Sequence, residues 1–325
     1  MLSFPFCLLL ASASVALAAA PTAPSEAKPD RSRLDGEVPP SFSVGIELPP
    51  TDDEKAYRRL LQIDDEAAEV IDTLIREADA KGQQTDAAGL QTKVDAQIAK
   101  VDAAYKEFFG KYPDHSRARI AFGSFLNDTG REFEAREQWE RAARLDPKNP
   151  AVFNNLAGNY GHRGPVTNAF RMYEKAIELD PKEAVYYRNF ATVVFLFRRD
   201  VMEHYGITNE QQVFDKSLDL YRKAADLAPK DFHVAADLAQ TYYGIKPPRH
   251  QEAIAAWRKA HELAGDDLER EGVRIHLARI LVQAARFAEA RTELTGVTNA
   301  NYLEIKRRIE KTMETKINGT NAPAP

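Results

Sequence analysis

The sequence predicts an all-α fold: an α-solenoid of antiparallel helical hairpins. Three observations predict it. Proline recurs at 34-residue intervals, at Pro113, Pro147 and Pro181, and Pro229 follows after 48, which is 34 plus 14. The turns at these prolines repeat as well: Leu145-Asp146-Pro147-Lys148, Leu179-Asp180-Pro181-Lys182 and Leu227-Ala228-Pro229-Lys230. Ala is abundant beside Glu, Lys, Arg and Leu, a mix that suits long surface helices better than sheets. A fixed period of this size marks a repeat array. It also bounds function, because an array of this kind holds a partner more readily than it transforms a substrate.

The 325 residues suffice for two ordinary globular domains or one array of about seven helical hairpins. The 44 basic and 49 acidic residues are well mixed and sum to a net charge of -5. That excludes general nucleic-acid affinity, which needs a net basic surface.

Phe4 to Ala20 is an unbroken apolar stretch ending in Ala16-Leu17-Ala18-Ala19-Ala20, small residues that fit an A-x-A cleavage site. Residues 1–19 are therefore expected to be an export signal, cut after Ala18. The competing expectation is an uncleaved N-terminal anchor, since no Lys or Arg precedes the run. Cys7 is the only cysteine. Its removal with the signal would leave a chain without disulfides or thiolate metal sites, at ease in an oxidising compartment. The expected location is exported, periplasmic or secreted, in a bacterium.

Residues 20–50 hold Pro21, Pro24, Pro29, Pro39, Pro40, Pro49 and Pro50 and keep no helical or strand period, which reads as a disordered linker. Thr51-x-x-Glu54 then forms a capping-box pattern ahead of a helix over 52–81, with Leu60, Leu61, Ile63, Val70, Ile71, Leu74 and Ile75 at three- and four-residue steps. Gly82-Gln83-Gln84-Thr85 breaks it, and a second helix follows from about Asp86 to Gly110. Residues 51–114 are thus one divergent hairpin.

Residues 115–298 read as the regular array. Its hairpins carry Phe122-Gly123-x2-Leu126 with Ala135-x3-Trp139-x2-Ala142, then Leu156-Ala157-x2-Tyr160 with Ala169-x3-Tyr173-x2-Ala176. Phe190-Ala191-x2-Val194 with Ser217-x3-Tyr221-x2-Ala224 comes next, followed by Leu238-Ala239-x2-Tyr242 with Ala253-x3-Trp257-x2-Ala260. A degenerate fifth pairs Leu277-Ala278-x2-Leu281 with Ala290-x3-Leu294 and lacks the terminal proline. The small residues sit where two helix backbones approach most closely, and the large ones fill the space between hairpins. Gly130 and Gly164 are expected to take the unusual backbone angles of the intra-hairpin turns. Residues 299–316 form a capping helix with Tyr302, Ile305, Ile309 and Met313 in one stripe, and 317–325 a frayed tail.

The third hairpin carries 14 extra residues between Phe195 and Asp215. Phe195, Phe197, Val201, Met202 and Tyr205 keep helical character, Gly206 reads as a C-terminal cap, and Thr208-x-x-Gln211 as a new capping box. Shared between two helices, the insertion lengthens each by ~10 Å. It predicts a projecting hairpin over 195–215 with its tip at Tyr205–Asn209, whose aromatic residues either form an extra contact surface or pack the two arms together.

These residues resemble the tetratricopeptide repeat (TPR), whose 34-residue pattern is W-x2-L-G-x2-Y…A-x3-F…P. Residues 115–229 match closely, 231–264 match with a two-residue insertion, and 86–114 and 267–298 match loosely. The resemblance implies about five to six repeats coiled into a right-handed superhelix, with the first helix of each pair lining a concave groove that takes a peptide or protein. Asn155 and Asn189, 34 apart, would then be equivalent groove residues, and an amide can pair with the backbone of any peptide. Asp237 and His276 continue that register, and Arg188, Thr192, Gln240, Tyr243 and Arg279 are expected on the same surface. The alternative is that these are solvated or structural polar residues. The Lys/Asn/Arg clamp of some family members is not matched: Ile120 and Ser124 stand where its first Lys and Asn would be.

Constellations for catalysis are missing from the sequence. The seven histidines show no H-x3-H spacing with a neighbouring carboxylate, so neither a zinc site nor any cofactor is expected. Gly158, Gly161 and Gly164 follow no strand and do not make a phosphate loop. Lys306-Arg307-Arg308 and Lys311 read as the solvent face of the capping helix. The expectation is a non-catalytic scaffold with a protein or peptide partner, no nucleic acid, no small-molecule substrate, and a membrane link only through an uncleaved N-terminus. The competing expectations are a structural adaptor of a cell-envelope assembly, working through the convex face or the projecting hairpin, and an accessory subunit of an enzyme.

Overall fold

A computed structural model describes residues 51–81 and 86–320. The expected signal, the Pro-rich linker, the Gly82–Thr85 break and the last residues of the expected tail lie outside them. Among the described residues every regular element is helical. The fold is all-α: helices pair into hairpins of the α-solenoid type, and a further helix caps the C-terminal end. The chain divides into two compact units, whose described parts are 51–165 and 166–320. The division falls in the turn of the second expected hairpin.

The first unit contains α1 (Asp52–Lys81), α2 (Ala87–Lys111), α3 (Ser116–Asp128), α4 (Glu132–Leu145) and α5 (Pro150–Arg163). α1 pairs with α2, α3 pairs with α4, and α5 packs on α4. Local chemistry starts these helices. Asp86 accepts the amide of Gly89, and Asn149 accepts that of Ala151, one residue past Pro150 in the first turn. His115 caps α3 through Nδ1, 3.0 Å from the Ala118 amide. The expected capping box at Thr51 is not what Glu54 serves: its carboxylate goes to Arg58 and Arg117, each at 2.9 Å. Tyr57, Leu60, Val101, Tyr105 and Phe108 are buried, and the Tyr105 hydroxyl donates to the buried Asp64 carboxylate at 2.9 Å.

The second unit contains α6 (Val166–Leu179), α7 (Ala184–Leu196), α8 (Arg198–Tyr205), α9 (Glu210–Leu227), α10 (Phe232–Thr241), α11 (His250–Leu263), α12 (Asp267–Gln283), α13 (Phe287–Thr295) and α14 (Leu303–Thr320). α7 pairs with α9, α10 with α11, and α12 with α13, while α14 covers α12 and α13. Single 3-10 turns follow α10 at Tyr242–Gly244 and precede α14 at Ala300–Tyr302. The expected small residues make the close approaches. Ala191, Ser217, Ala239, Ala278 and Ala290 are fully buried, and the Ser217 hydroxyl donates to the Ala191 carbonyl at 2.9 Å. Tyr302, Ile305, Ile309 and Met313 form the buried stripe of the cap. The helix does not fray at Ile317 but runs on through Thr320.

The expected projecting hairpin at 195–215 is not formed. α7 stops at Leu196, where Phe197 leaves helical geometry, and α8 folds back against α6 and α9. Burial explains why: Val201 is fully buried, the His204 and Tyr205 rings lie 5.3 and 5.9 Å from Phe170, and Tyr205 donates to Glu174 at 2.6 Å. A projection would leave this apolar and aromatic surface in water. Gly206 does cap α8 in left-handed geometry. The new helix is capped one residue later than expected, by Asn209 rather than Thr208, with Asn209 Oδ1 2.7 Å from the Gln211 amide.

The intra-hairpin turns divide by chemistry. Gly130 has φ +80°, as expected, and lets the Arg131 amide reach back to the Leu126 carbonyl at 2.8 Å. In the fifth hairpin Ala285 does the same work at φ +59°, with Arg286 bonding Leu281 at 2.8 Å. Gly164 departs from expectation. Its backbone is extended, and its glycine is needed for space: a Cβ there would lie 2.6 Å from the Tyr160 ring.

Candidate partner-binding surface

The first helices of the third, fourth and fifth hairpins, α7, α10 and α12, lie side by side in the second unit. Two side-chain ties between hairpins show it. Arg188 on α7 donates through Nε to Asp237 on α10 at 2.6 Å. Tyr243, just past α10, places its hydroxyl 3.0 Å from His276 Nδ1 on α12. The helical period puts these residues here: Arg188 and Thr192 are one turn apart on α7, Asp237 and Gln240 on α10, and His276 and Arg279 on α12.

Of the eight expected site residues, Arg188, Asp237, Tyr243 and Arg279 take part in these contacts, and Asn189, Thr192 and Gln240 lie on the same helices, α7 and α10. Asn155 does not share the unit; it lies half-buried on α5 of the first, its amide oxygen 3.5 Å from Asn154 Nδ2.

Several of these groups are already engaged. Burial works against the charge of Arg188, but the Asp237 carboxylate outweighs it and raises its pKa. Thr192 donates to its own helix at the Arg188 carbonyl or meets the Tyr221 hydroxyl at 2.7 Å. Burial, with help from Asp237, pushes the Tyr221 hydroxyl up to about 12. Gln240 stays exposed, and Asn189 is half-buried. Toward α12 the surface turns aromatic. His276 stacks flat on Trp257 at 4.3 Å, and the Tyr243 ring leans on both at 5.7 and 6.2 Å. The Arg279 guanidinium lies 5.7 Å from the centre of the Tyr243 ring. Burial, and then Arg279, pull the His276 pKa down to about 4, so its ring is neutral at pH 7.

The sequence did not single out Trp257 or Tyr221 as site residues, since both read as ordinary core positions. A second missed pattern is Arg-x-x-Glu-Ala at the start of three second helices. Arg131–Glu134, Arg249–Glu252 and Arg286–Glu289 pair within the turn, the first and last bidentate through Nε and Nη2. The repeated spacing before Ala135, Ala253 and Ala290 was the available signal.

One open depression of about 470 Å³ lies beside this surface, between Tyr187 of α7 and the Gln212–Lys223 face of α9. Its charges are largely committed: Asp215 to Arg249 at 2.6 Å, Asp219 to Arg222 at 2.9 Å, and Lys216 over the Tyr205 ring at 4.3 Å. Among the described residues no group of three or more His, Cys, Asp or Glu side chains could hold a metal ion. No described helix is long and apolar enough to cross a membrane.

Fold and surface define a helical-hairpin repeat protein. No family model matches the chain, and no curated protein matches it. Solved structures similar to it include MamA from Desulfovibrio magneticus, 18% identical, covering 59% of this chain and 96% of that one at a TM-score of 0.46. Another is YrrB, described as a TPR protein with an unusual peptide-binding site, 13% identical over 66% of this chain and 98% of that one, also at 0.46. PilF of Pseudomonas aeruginosa is 16% identical over 75% and 99%, at 0.46. The fold stands on the chain's own helices and period rather than on these distant likenesses.

Proposed function

We propose that the chain is a non-catalytic, tetratricopeptide-type scaffold that takes a peptide or protein segment on the face made by α7, α10 and α12. The observation that carries this reading is the pair of ties between hairpins, Arg188–Asp237 and Tyr243–His276. They fix three helices before any partner arrives, and a pre-organised surface loses less freedom on binding. Beside the ties, the exposed Gln240 carries an amide able to pair with a peptide backbone of any sequence. Export to a bacterial periplasm or beyond rests on the apolar Phe4–Ala20 stretch and its small-residue end. Sequencing the N-terminus of the mature protein tests export.

Site-directed photo-crosslinking in the native host tests the face. A crosslinker at Gln240 should capture a protein that the same group at Lys223, on α9, captures much less. Equal capture at both positions, or capture at Lys223 alone, would move the binding site off α7, α10 and α12.

A further inference from the structure

The two cations of this face have opposite circumstances. Arg188 has a carboxylate at 2.6 Å. Arg279 is half-buried on α12, and among the described residues no carboxylate pairs with it. Its neighbours are the Tyr243 ring, 5.7 Å from the guanidinium, and beyond it His276. Both are neutral at pH 7, since burial raises the tyrosine pKa and lowers that of the histidine. Trp257, which carries the stack, is buried and its indole Nε1 has no partner. A half-buried arginine with no anion beside it regains little from neutral neighbours, which leaves its charge for a partner to match.

We propose that Arg279 is the anchor for an acidic side chain, Asp or Glu, of the partner segment bound on this face. The inference rests on the scaffold reading above and gives it a ligand chemistry. A planar guanidinium fixed over a tyrosine ring presents its free edge as a fork that matches a carboxylate. Tyr243 lies against it, and Trp257 and His276 hold that ring in turn, so little freedom is lost when the anion docks. Exposed Gln240, on α10, offers an amide to the backbone of the same segment. A side chain is favoured over a chain terminus because one fork and one amide make up the site; terminal carboxylates are gripped by nests of backbone amides.

The test is selection of random twelve-residue peptides displayed on phage through their C-termini, so that none carries a free terminal carboxylate, against the full chain. Wild type should enrich sequences with an Asp or Glu at one position. Arg279→Gln should lose that enrichment, and Lys223→Gln, on α9 and off the face, should keep it. For a selected peptide, changing its acid to the amide should weaken binding to wild type about tenfold and leave binding to Arg279→Gln nearly unchanged. Unshifted melting temperatures for Arg279→Gln and Arg279→Lys establish that the fold survives. If Arg279→Gln melts early, Arg279→Lys replaces it, and a retained charge with a lost fork should still weaken the acidic peptide. Peptides selected without acidic bias, or an acidic consensus that persists in Arg279→Gln, would overturn the anchor while leaving the binding face. Failure of wild type to select any peptide would overturn both.

Discussion

The indole Nε1 of Trp139 donates to the Ile120 carbonyl at 3.1 Å across the α3–α4 hairpin, and Gly123 makes the approach possible. A Cβ on Gly123 would stand 2.4 Å from that nitrogen. The fourth hairpin has Ala239 and Trp257 at the same two places, and there the buried indole nitrogen has no partner. Gly123→Ala should therefore destabilise the first unit by about 1–3 kcal/mol, the usual cost of forcing an atom into a packed contact. Trp139→Phe should cost about 1 kcal/mol more than Trp257→Phe, since only the first removes a hydrogen bond. Urea melts of the three variants check this, and equal costs for the two tryptophans would contradict it.

Ala285 sits at φ +59°, where Gly130 sits in the first hairpin at +80°. A side chain costs roughly 1 kcal/mol in this region. Ala285→Gly gains that back but also loosens the unfolded chain, so the net gain should be about 0.5 kcal/mol. By the same balance Gly130→Ala should lose about 0.5 kcal/mol. A calorimetric comparison of both variants gives opposite shifts in melting temperature if the turns are equivalent.

Val201 is fully buried although it lies in the segment inserted into the third hairpin. Val201→Ala should cost about 1–2 kcal/mol by removing two buried methyl groups and leaving a small void. Limited proteolysis should cut Gly206–Glu210 no faster than it cuts Gly130. Neutral behaviour of Val201→Ala, with fast cutting at Gly206, would mean that α8 stands away from α6.

The repeat was legible because each hairpin needs small residues at one spacing and large ones at another, and the sequence displays both from Gly123 to Ala290. The insertion was legible in its composition but not in its direction. A helical run with Val201 and Tyr205 on one face can extend an existing helix or fold back onto a neighbour, and the choice depends on Phe170 and Glu174, some thirty residues earlier. Site residues behaved in the same way. The resemblance to the tetratricopeptide repeat implied one face for Arg188, Asp237, Tyr243 and Arg279, but which of them would meet depends on how α7, α10 and α12 line up. Hence the Arg188–Asp237 tie and the unmatched Arg279 emerge only from the fold.

His276 supplies a pH prediction. It faces Tyr243 from the turn after α10, Trp257 from α11, and Arg279 on its own helix, and its Nδ1 lies 3.0 Å from the Tyr243 hydroxyl. The ring is neutral in the folded chain down to about 4, against 6.5 when exposed. As pH falls below 6.5 the unfolded chain takes up a proton that the folded chain refuses, so stability is lost as pH falls. The loss runs from 6.5 to about 4 and then levels off, and it amounts to at most about 3 kcal/mol. His115, which accepts the Ala118 amide and whose pKa burial also lowers, adds a loss of the same sign in the first unit. His276→Phe keeps a ring against Trp257 but cannot titrate, so it separates the two. Its urea stability should fall less between pH 7 and pH 4.5 than that of wild type, with carboxylate contributions common to both. An identical fall in the two proteins would show that His276 is not held neutral by this packing.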